Sequence, residues 1–547
     1  MFFRQKTVKG HTYLQIVENR WEEGRTRQRV LATLGRRDEL QESGQLEALL
    51  ESGSRFADSL VVLSEHRRGE RPAVATRRIG APRVFERLWQ ETGCAEVVGS
   101  LLAERKFEFP VERAIFLEVL HRLVSPGSDR SGLAWREDYR VDGVEDLDLH
   151  HAYRAMAWLG EPLEEAIPEG ALALRCTKDR IEEALFARDR DLFSGLQLVF
   201  FDTTSIYFEG EGGETLGRYG HSKDHRKNRK QMVVGVVLDQ EGRPICCELW
   251  PGNTTDVTTL VPVAERLRKR FGIGRVCLIA DRGMVRKETL ETLETTGWDY
   301  IVGTRMRNTK EVRDEVLSRA GRFQKVFGER TKSKDASPLE VKEVWVGERR
   351  YVVCRNAEHA TKDRADREAI LASLEERLRQ GATSLVGNRG YRRYLSARGQ
   401  GFQIDPKKVE RDERYDGKWV LRTTTDLEPA DVALAYKQLW TVEEIFRTMK
   451  SLLETRPVYH RTDEAIRGHV FCSFLALRLR AELESRLAER GETFEWASII
   501  RDLDRLEEIE LEKHGTRLLL RSEARGVAGK VFQAAGVALP PTIRQVS

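Results

Sequence analysis

The sequence of 547 residues contains no apolar run of about 18 residues, so no helix is expected to span a membrane. Its first nine residues lack the long apolar core of a signal peptide, and we therefore expect a cytoplasmic protein. No internal repeat or low-complexity tract occurs. An apolar content of 40%, with 10 Trp and 21 Phe, excludes wholesale disorder. At roughly 150 residues per domain, the length predicts three or four domains.

The seven cysteines include no CxxC pair and no spacing typical of metal ligands. Four of them, Cys246, Cys247, Cys277 and Cys354, lie in apolar runs, where buried free thiols are usual. The 11 histidines are scattered along the chain. These patterns argue against a zinc site.

Charges of the two signs nearly balance, with 92 Lys and Arg against 88 Asp and Glu, for a net charge of +4. This balance excludes a highly charged tail protein, so any binding of nucleic acid depends on local patches. Residues 221–230 form one such patch, with five Lys or Arg, including Lys223 and Arg226, and one Asp. The segment could hold a phosphate backbone or be an ordinary solvated loop.

Hydrophobic patterning divides the chain into six segments. Residues 1–45 are predicted to form a small β-hairpin domain and residues 46–195 a helical region. Residues 196–305 show three strands, a helix, a strand, a helix and a strand, which is the order of an RNase H-like α/β domain. Residues 306–425 are predicted to be a β-rich insertion that interrupts this domain. Residues 426–480 complete it, with an amphipathic helix from Asp431 to about Leu453, and residues 481–547 are predicted to be a helical carboxyl-terminal region.

Two aspartates lie in or after predicted strands of this core. Asp202 is in the middle of the first strand, where burying its charge costs several kcal/mol unless it is hydrogen-bonded, paired or bound to a metal. Asp281 ends the fourth strand, and sites in α/β sheets form at the carboxyl ends of strands. The alternative for each is a cap or a salt bridge, such as one between Asp281 and Arg282.

A third carboxylate lies on the predicted helix. Tyr436, Glu443 and Lys450 are seven residues apart, which places them on one helical face with Leu439 and Arg447 close by. An ordinary ion-pair face is the alternative. Two divalent ions about 4 Å apart can activate a water or a 3′-hydroxyl and stabilise the leaving oxygen. Asp202, Asp281 and Glu443 supply the oxygen ligands that such ions prefer.

Five motifs together resemble bacterial insertion-sequence DDE transposases, and more narrowly the insertion-sequence-four superfamily. The motifs are Phe201-Asp-Thr-Thr-Ser, Gly220-His-Ser-Lys-Asp-His-Arg, Gly252-Asn-Thr-Thr-Asp, Ala280-Asp-Arg-Gly-Met and the helix with Tyr436, Glu443 and Lys450. The resemblance covers about residues 196–475, and the hairpin that begins at Phe3 resembles one subgroup.

The resemblance implies an RNase H-like catalytic core, interrupted by a β-rich insertion, in which Asp202, Asp281 and Glu443 are the catalytic, metal-binding triad. The metal would be Mg²⁺, with Mn²⁺ as a substitute. Tyr436 and Lys450 would contact DNA phosphate. Leu439 replaces the arginine of the family signature, and Arg447 could compensate for that loss.

The implied function is a DNA transposase that cuts at the terminal inverted repeats of an insertion sequence and joins the ends to target DNA. Its partner would be double-stranded DNA in the bacterial nucleoid, bound by a homodimer, with residues 46–195 reading the ends. Trp419 resembles a tryptophan on which some relatives stack a flipped base, although a strand tryptophan is commonly a core residue; Trp440 is a second candidate. A structure-selective nuclease and an inactive DNA-binding descendant are the alternative functions.

Overall fold

The structure is a computed structural model. It describes residues 2–22, 25–46, 48–49, 52, 73–103, 105–164, 174–189, 197–273, 276–326, 339–380, 389–398, 401–513 and 516–546. Within these ranges no helix has both the length and the apolar character needed to cross a bilayer. Contacts divide the chain into two compact units. The smaller unit consists of residues 1–76, 509–520 and 542–547, and the larger unit of residues 77–508 and 521–541.

The strands are numbered in chain order. They are β1 Phe2–Val8, β2 His11–Glu22, β3 Arg25–Arg36, β4 Ala73–Arg78, β5 Leu198–Tyr207, β6 Gln231–Leu238, β7 Pro244–Pro251, β8 Cys277–Ala280, β9 Asp299–Gly303, β10 Gln324–Val326, β11 Leu339–Val346, β12 Arg349–Arg355, β13 Leu395–Arg398, β14 Gly401–Ile404, β15 Lys418–Thr423, β16 Glu507–Lys513, β17 Thr516–Arg521 and β18 Ile543–Val546.

The α-helices are numbered in the same way. They are α1 Arg37–Glu42, α2 Gly80–Glu91, α3 Cys94–Leu102, α4 Val111–Val124, α5 Asp129–Arg136, α6 Leu149–Leu159, α7 Thr177–Arg188, α8 Leu260–Phe271, α9 Lys287–Thr295, α10 Ala357–Arg379, α11 Arg389–Arg392, α12 Pro406–Glu413, α13 Pro429–Lys437, α14 Trp440–Arg447, α15 Asp463–Glu489, α16 Trp496–Asp504 and α17 Ala528–Ala534.

The smaller unit is built from two antiparallel arrangements of strands. β1, β2 and β3 form a three-stranded sheet, in which Phe3 pairs with Ile16. The second sheet has the order β18-β17-β16-β4. The alternating pattern of residues 2–34 therefore gives one strand more than the hairpin that we expected.

A nine-stranded sheet with the order β10-β11-β12-β15-β9-β8-β5-β6-β7 forms the centre of the larger unit. β5, β8 and β9 are parallel neighbours, and β6 and β7 continue the sheet antiparallel on the other side of β5. These five strands and the helices α8 and α9 follow one another in the predicted order. β5 and β6 are buried along almost their whole length because both faces of the sheet are covered.

Helices cover the two faces of this sheet unequally. α8 and α9 pack on one face, where Leu267 and Leu293 share a core with Phe201. The other face carries α13 and α14 and a larger helical layer of α2 to α7 and α15 to α17, whose common core includes Phe200 and Val442. α15 runs through this layer and contacts α4 and α6. The predicted helical region 46–195 supplies six helices here, and its boundary near 195 lies outside the described residues.

Residues 306–425, the segment predicted as a β-rich insertion, hold the strands β10 to β15 between β9 and α13. β15 pairs with β9, β12 with β15 and β11 with β12, so these strands extend the central sheet. The segment also contains the 23-residue helix α10 and the small β13–β14 hairpin. Hydrophobic alternation identifies a strand but does not specify its hydrogen-bonding partner, which is why the continuity was missed.

The prediction of a single helix from Asp431 to about Leu453 is wrong. α13 ends at Lys437, α14 begins at Trp440, and a π-helical turn follows at Thr448–Leu452. Backbone bonds from Leu439 N to Tyr436 O and from Val442 N to Leu439 O join residues three apart, which tightens the chain between the two helices. The face on which residues seven apart coincide is therefore not maintained.

The carboxyl-terminal region is not wholly helical as predicted. After α15 and α16, residues 507–513 form β16 and residues 516–521 form β17, and β18 follows α17. The pairing of β17 with β18 places Leu518 opposite Gln545 and Leu520 opposite Ile543. Strand pairing between distant parts of the chain overrides the local helical pattern.

Candidate active site

The two predicted aspartates lie side by side on neighbouring parallel strands, with Asp202 in the middle of β5 and Asp281 at the carboxyl end of β8. β5 and β8 are parallel and adjacent; Asp202 is on β5 and Asp281 directly follows β8. Asp281 Oδ2 accepts a hydrogen bond from Gly283 N at 3.2 Å and caps the turn Arg282–Met284. The alternative salt bridge between Asp281 and Arg282, both of which the structure describes, does not form.

Asp202 is a partly buried carboxylate whose negative charge has few stabilising partners nearby. Its Oδ1 accepts a hydrogen bond from Thr203 N at 2.7 Å, and no cation of the described chain pairs with it within 4 Å. Burial raises the pKa of Asp202 to about 6; Lys223 opposes the shift, whereas Asp281 and Asp256 add to it. The influence of Asp281 on this pKa indicates that the two carboxylates share one electrostatic environment.

Tyr436 connects α13 to Asp281. Its hydroxyl donates a hydrogen bond of 3.1 Å to Asp281 Oδ1, while burial raises the pKa of the phenol well above its usual value. A glycine is needed beneath this hydroxyl, because a Cβ at Gly303 would lie 2.5 Å from Tyr436 Oη. Tyr436 thus orients Asp281, a contact that the sequence did not predict.

Glu443 lies on the exposed side of α14, which packs over β5, the strand that carries Asp202. The carboxylate oxygens of Asp202, Asp281 and Glu443, all described, do not lie within 4.8 Å of one another. Two ions about 4 Å apart require a wider set of ligands than one ion does. The strand register places Asp202 beside Asp281, and Glu443 has no hydrogen-bond or ion-pair partner in the described part of the chain.

A fourth carboxylate, Asp256, was missed by the sequence reasoning. Thr203 Oγ1 donates to Asp256 Oδ1 at 2.7 Å, and Lys223 Nζ lies 3.2 Å from Asp256 Oδ2. Lys223 Nζ also donates to Thr203 O at 2.6 Å. We used the motif Gly252-Asn-Thr-Thr-Asp as one of five motifs of the family resemblance, and assigned no role to its acid, yet the carboxylate of Asp256 fixes Lys223 beside the Asp202 strand. The acid at the end of the motif was the available signal.

The basic segment 221–230 is anchored to β5 rather than freely solvated. Lys223 N donates to Ser205 Oγ at 2.8 Å, and a Cβ at Gly220 would lie 1.9 Å from Gly252 O. The single acid of the segment, Asp224, binds Lys450 Nζ at 2.8 Å and Arg456 Nη1 at 2.6 Å. Lys450 is therefore held by a buried carboxylate, and burial lowers its pKa.

Other cations of this region face outward. Arg229 pairs with Glu209 and Lys230 with Glu211, whereas Arg226 lies over the ring of Tyr207 at 5.9 Å. Arg226 and Arg447 are exposed and have no carboxylate partner in the described part of the chain. These two arginines remain available for an external anion.

Trp419 lies at the start of β15. Because β15 runs antiparallel to β9, Trp419 is at the sheet edge where β5, β8 and β9 end. Its ring is partly buried against the core and 6.0 Å from the ring of His359. Leu439, which replaces the signature arginine, is buried in the same core, and Trp440 is 56% exposed. The side chain of Leu439 is thus a packing group and cannot supply the phosphate contact of an arginine.

The residues present fit a divalent cation. Asp202 and Asp281 offer carboxylate oxygens on adjacent strands, and both lack a cationic partner among the described residues. Mutual repulsion and burial disfavour two negative charges there unless a cation balances them. Hard oxygen donors are the ligands that Mg²⁺ and Mn²⁺ prefer.

The chain matches two family models. The transposase DDE domain matches residues 193–479, more than half of the chain, and the amino-terminal domain of IS1634 family transposases matches residues 3–65. No match is found among curated proteins.

Similar solved structures include three transposase complexes. The piggyBac transposase synaptic complex with hairpin DNA is 11% identical, covers 77% of each chain and has a TM-score of 0.34. The pre-cleavage Mos1 transpososome is 15% identical over 36% of this chain and 61% of that chain, with a TM-score of 0.14. The Mos1 mariner paired end complex with Mn is 15% identical over 40% and 75%, with a TM-score of 0.15. These scores are too low to define the fold. The match of the DDE domain to more than half of the sequence shows that the chain belongs to the DDE transposase family and is a DNA-cleaving, strand-transferring enzyme.

Proposed function

We propose that Asp202, Asp281 and Glu443 are the catalytic triad of this transposase and hold its divalent ions. The observation that carries the proposal is the placement of Asp202 and Asp281 side by side on the adjacent parallel strands β5 and β8, with Tyr436 donating to Asp281. Metal dependence follows from membership of the DDE family. Mg²⁺, with Mn²⁺ as a substitute, would activate the attacking water or 3′-hydroxyl and stabilise the leaving oxygen.

The protein's own groups position the reactants. Tyr436 keeps one oxygen of Asp281 fixed, which leaves the orientation of the carboxylate independent of substrate. Lys223, held by Asp256, places a positive charge beside the Asp202 strand, where a scissile phosphate would lie. Arg226 and Arg447 are exposed and would bind flanking phosphates.

Two further roles extend this assignment. Lys450 would contact DNA phosphate from its place against Asp224, where it also fixes the basic segment to the end of α14. Trp419 would stack a flipped base at the strand-end edge of the sheet, because base stacking on an aromatic ring contributes about 1–3 kcal/mol. Its partly exposed ring and its position support this role.

The finer architecture is also part of the proposal. β7-β6-β5-β8-β9 with α8 and α9 would be the first part of an RNase H-like core, and α13 and α14 its last helices. The motifs favour the insertion-sequence-four superfamily for this core, although the amino-terminal match is to IS1634 transposases. Residues 46–195 would bind the terminal inverted repeats. A homodimer would bring two element ends and target DNA together in the nucleoid.

End cleavage tests the triad. Purified protein is incubated with Mg²⁺ or Mn²⁺ and DNA that carries the ends flanking the gene, and products are resolved on denaturing gels. We expect metal-dependent 3′ nicks at the element boundary with the wild type and a loss of cleavage in Asp202→Asn, Asp281→Asn and Glu443→Gln. Glu444→Gln is the matched control, because Glu444 is the next residue on α14 and is also exposed.

Three results would contradict the proposal. Cleavage by Glu443→Gln at the rate of Glu444→Gln would remove Glu443 from the site. Cleavage that ignores the element ends and gives no joined product would indicate a structure-selective nuclease. Binding without cleavage in either metal would indicate an inactive DNA-binding protein.

A further inference from the structure

A cavity of about 840 Å³ in the larger unit lies outside the candidate active site. Its walls are the start of α5, the middle of α6 and residues 454–465. The side chains that give the cavity its character are four arginines and two tyrosines: Arg130, Tyr153, Arg154, Arg456, Tyr459 and Arg461. We refer to this set as the Arg/Tyr cavity.

The Arg/Tyr cavity is positively charged. Arg130 and Arg461 are exposed and have no carboxylate partner among the residues that the structure describes. Arg154 is 3.9 Å from Glu108, a carboxylate that is 91% exposed and therefore weakly held. The one exposed acid of the lining is Glu454. A solvated cavity with this excess of guanidinium groups suits an anion with several charges.

Two aromatic rings border the same cavity with exposed faces. Tyr459 is 66% and Tyr153 is 40% exposed, and neither hydroxyl has a hydrogen-bond partner in the described chain. Tyr153 is fixed by an edge-on contact with His460, with ring centroids 5.5 Å apart. A basic groove with exposed aromatic faces is the arrangement by which proteins bind single-stranded nucleic acid.

The charged and polar groups in the wall behind these side chains are paired with one another. Asp129 accepts from Arg122 at 3.2 Å through Oδ1 and lies 3.2 Å from His460 Nε2 through Oδ2. Arg122 also donates to His469 Nδ1 at 3.0 Å. Asp129, His460 and His469 cluster within 4.8 Å as metal ligands would, but the guanidinium of Arg122 takes the place of a cation there. The network is therefore a support for the cavity and leaves the outer arginines free.

The cavity is connected to the active-site strand. Val458 N donates to Tyr207 O at 3.2 Å and Glu209 N donates to Val458 O at 3.0 Å, so the cavity wall continues the end of β5. Phe208, which pairs with Val458, is six residues beyond Asp202, or roughly 20 Å along an extended strand. Arg456 binds Asp224, which also binds Lys450. A DNA strand held at Asp202 would reach the cavity about six nucleotides away, at roughly 3.4 Å per nucleotide.

We propose that the Arg/Tyr cavity binds a single-stranded segment of the substrate DNA, with phosphates on Arg130, Arg154 and Arg461 and a base stacked on Tyr459. This inference rests on the DNA-transposase function and adds a second DNA contact to it. Cutting one strand at an element end creates a free strand end, which supplies a segment of the required kind once it is unpaired from its complement. The cavity then holds this strand while the reaction continues at Asp202.

Binding without metal tests the inference separately from cleavage. The full-length protein is titrated into a fluorescent single strand of about 12 nucleotides, a length within the range of single-strand sites. The same sequence as a duplex is titrated in parallel. We expect Tyr459→Ala to weaken single-strand binding about 5- to 150-fold, the equivalent of one stacked base, and to affect the duplex less. Tyr459→Phe keeps the ring and is expected to bind like the wild type.

The arginines are tested by the salt dependence of binding. We expect the double substitution of Arg130→Gln and Arg461→Gln to reduce the slope of log affinity against log salt by about 1.4, since each phosphate contact of a single strand contributes about 0.7. Arg364→Gln, on the exposed side of α10, and Trp345→Ala, an exposed aromatic on β11, are the matched controls, with no expected change.

The outcomes separate this inference from the transposase function. Wild-type affinity in Tyr459→Ala, or an equal loss for the duplex, overturns the inference and leaves the function intact. Asp202→Asn is expected to bind the single strand normally, because the metal site is not needed for this contact. A wild-type protein that binds neither single strand nor duplex would contradict both. Melting temperatures confirm that each variant is folded.

Discussion

Replacing Tyr436 with phenylalanine removes one oxygen atom and tests how the active site is organised. The hydroxyl donates at 3.1 Å to Asp281 Oδ1, and the ring, which α13 carries, packs against the core. A hydrogen bond to a charged acceptor contributes about 1.5–3 kcal/mol. Loss of a partner that orients a metal ligand typically lowers metal affinity or activity about 10- to 100-fold. We therefore expect the concentration of Mn²⁺ for half-maximal end cleavage to rise about 10- to 100-fold in Tyr436→Phe.

The assay is a metal titration of single-turnover cleavage on labelled element ends. Tyr394→Phe is the matched control, because Tyr394 is also buried and its hydroxyl donates to Asp412 Oδ2 at 2.7 Å, in a different part of the larger unit. Both variants are expected to lose comparable thermal stability, whereas Tyr436→Phe alone is expected to need more metal. An unchanged metal requirement in Tyr436→Phe would refute the positioning role of this hydroxyl.

Three further changes have definite expected outcomes. Gly303→Ala places a Cβ 2.5 Å from Tyr436 Oη, so the cleavage assay should show the same metal requirement as Tyr436→Phe and no further loss in the double variant. Gly468→Ala places a Cβ 1.9 Å from Met156 O between α15 and α6, and its melting temperature should fall sharply, whereas Gly529→Ala, with open space around it, should not change. Burial lowers the pKa of His121 to about 4 from 6.5, so between these two pH values His121 is protonated in the unfolded chain and neutral in the folded chain. Lowering the pH from about 7.5 to 5 should therefore reduce the free energy of unfolding of the wild type by about 2 kcal/mol, and His121→Phe should not show this reduction. Equal pH dependence of the two melting temperatures would contradict this prediction.

Local pattern was sufficient to predict the strands that carry the site. β5 and β8 are short, apolar runs that end in or contain a single acid, so Asp202 and Asp281 could be identified before their geometry was known. The order of the five core strands follows from the same runs and from the two amphipathic helices between them. These features depend only on which residues are buried, and the hydrophobic pattern of the sequence indicates burial directly.

Features that depend on partners distant in the chain could not be predicted in this way. Asp256 and Lys223 meet only because β5 brings Thr203 between them, and Asp224 meets Lys450 across more than two hundred residues. The break between α13 and α14 also escaped prediction, because a seven-residue spacing assumes uniform helical geometry. The extension of the sheet through β15 depends on hydrogen bonds that no single strand specifies.

Direct measurement of metal binding provides the sharpest test of the triad. Mn²⁺ is titrated into the protein bound to an uncut element end, and free Mn²⁺ is followed by electron paramagnetic resonance. We expect saturable binding by the wild type and by Glu444→Gln, and at least about tenfold weaker binding by Asp202→Asn, Asp281→Asn and Glu443→Gln, because each loses a carboxylate ligand. Mn²⁺ binding by the three variants that equals the wild type would show that these carboxylates do not hold the ions.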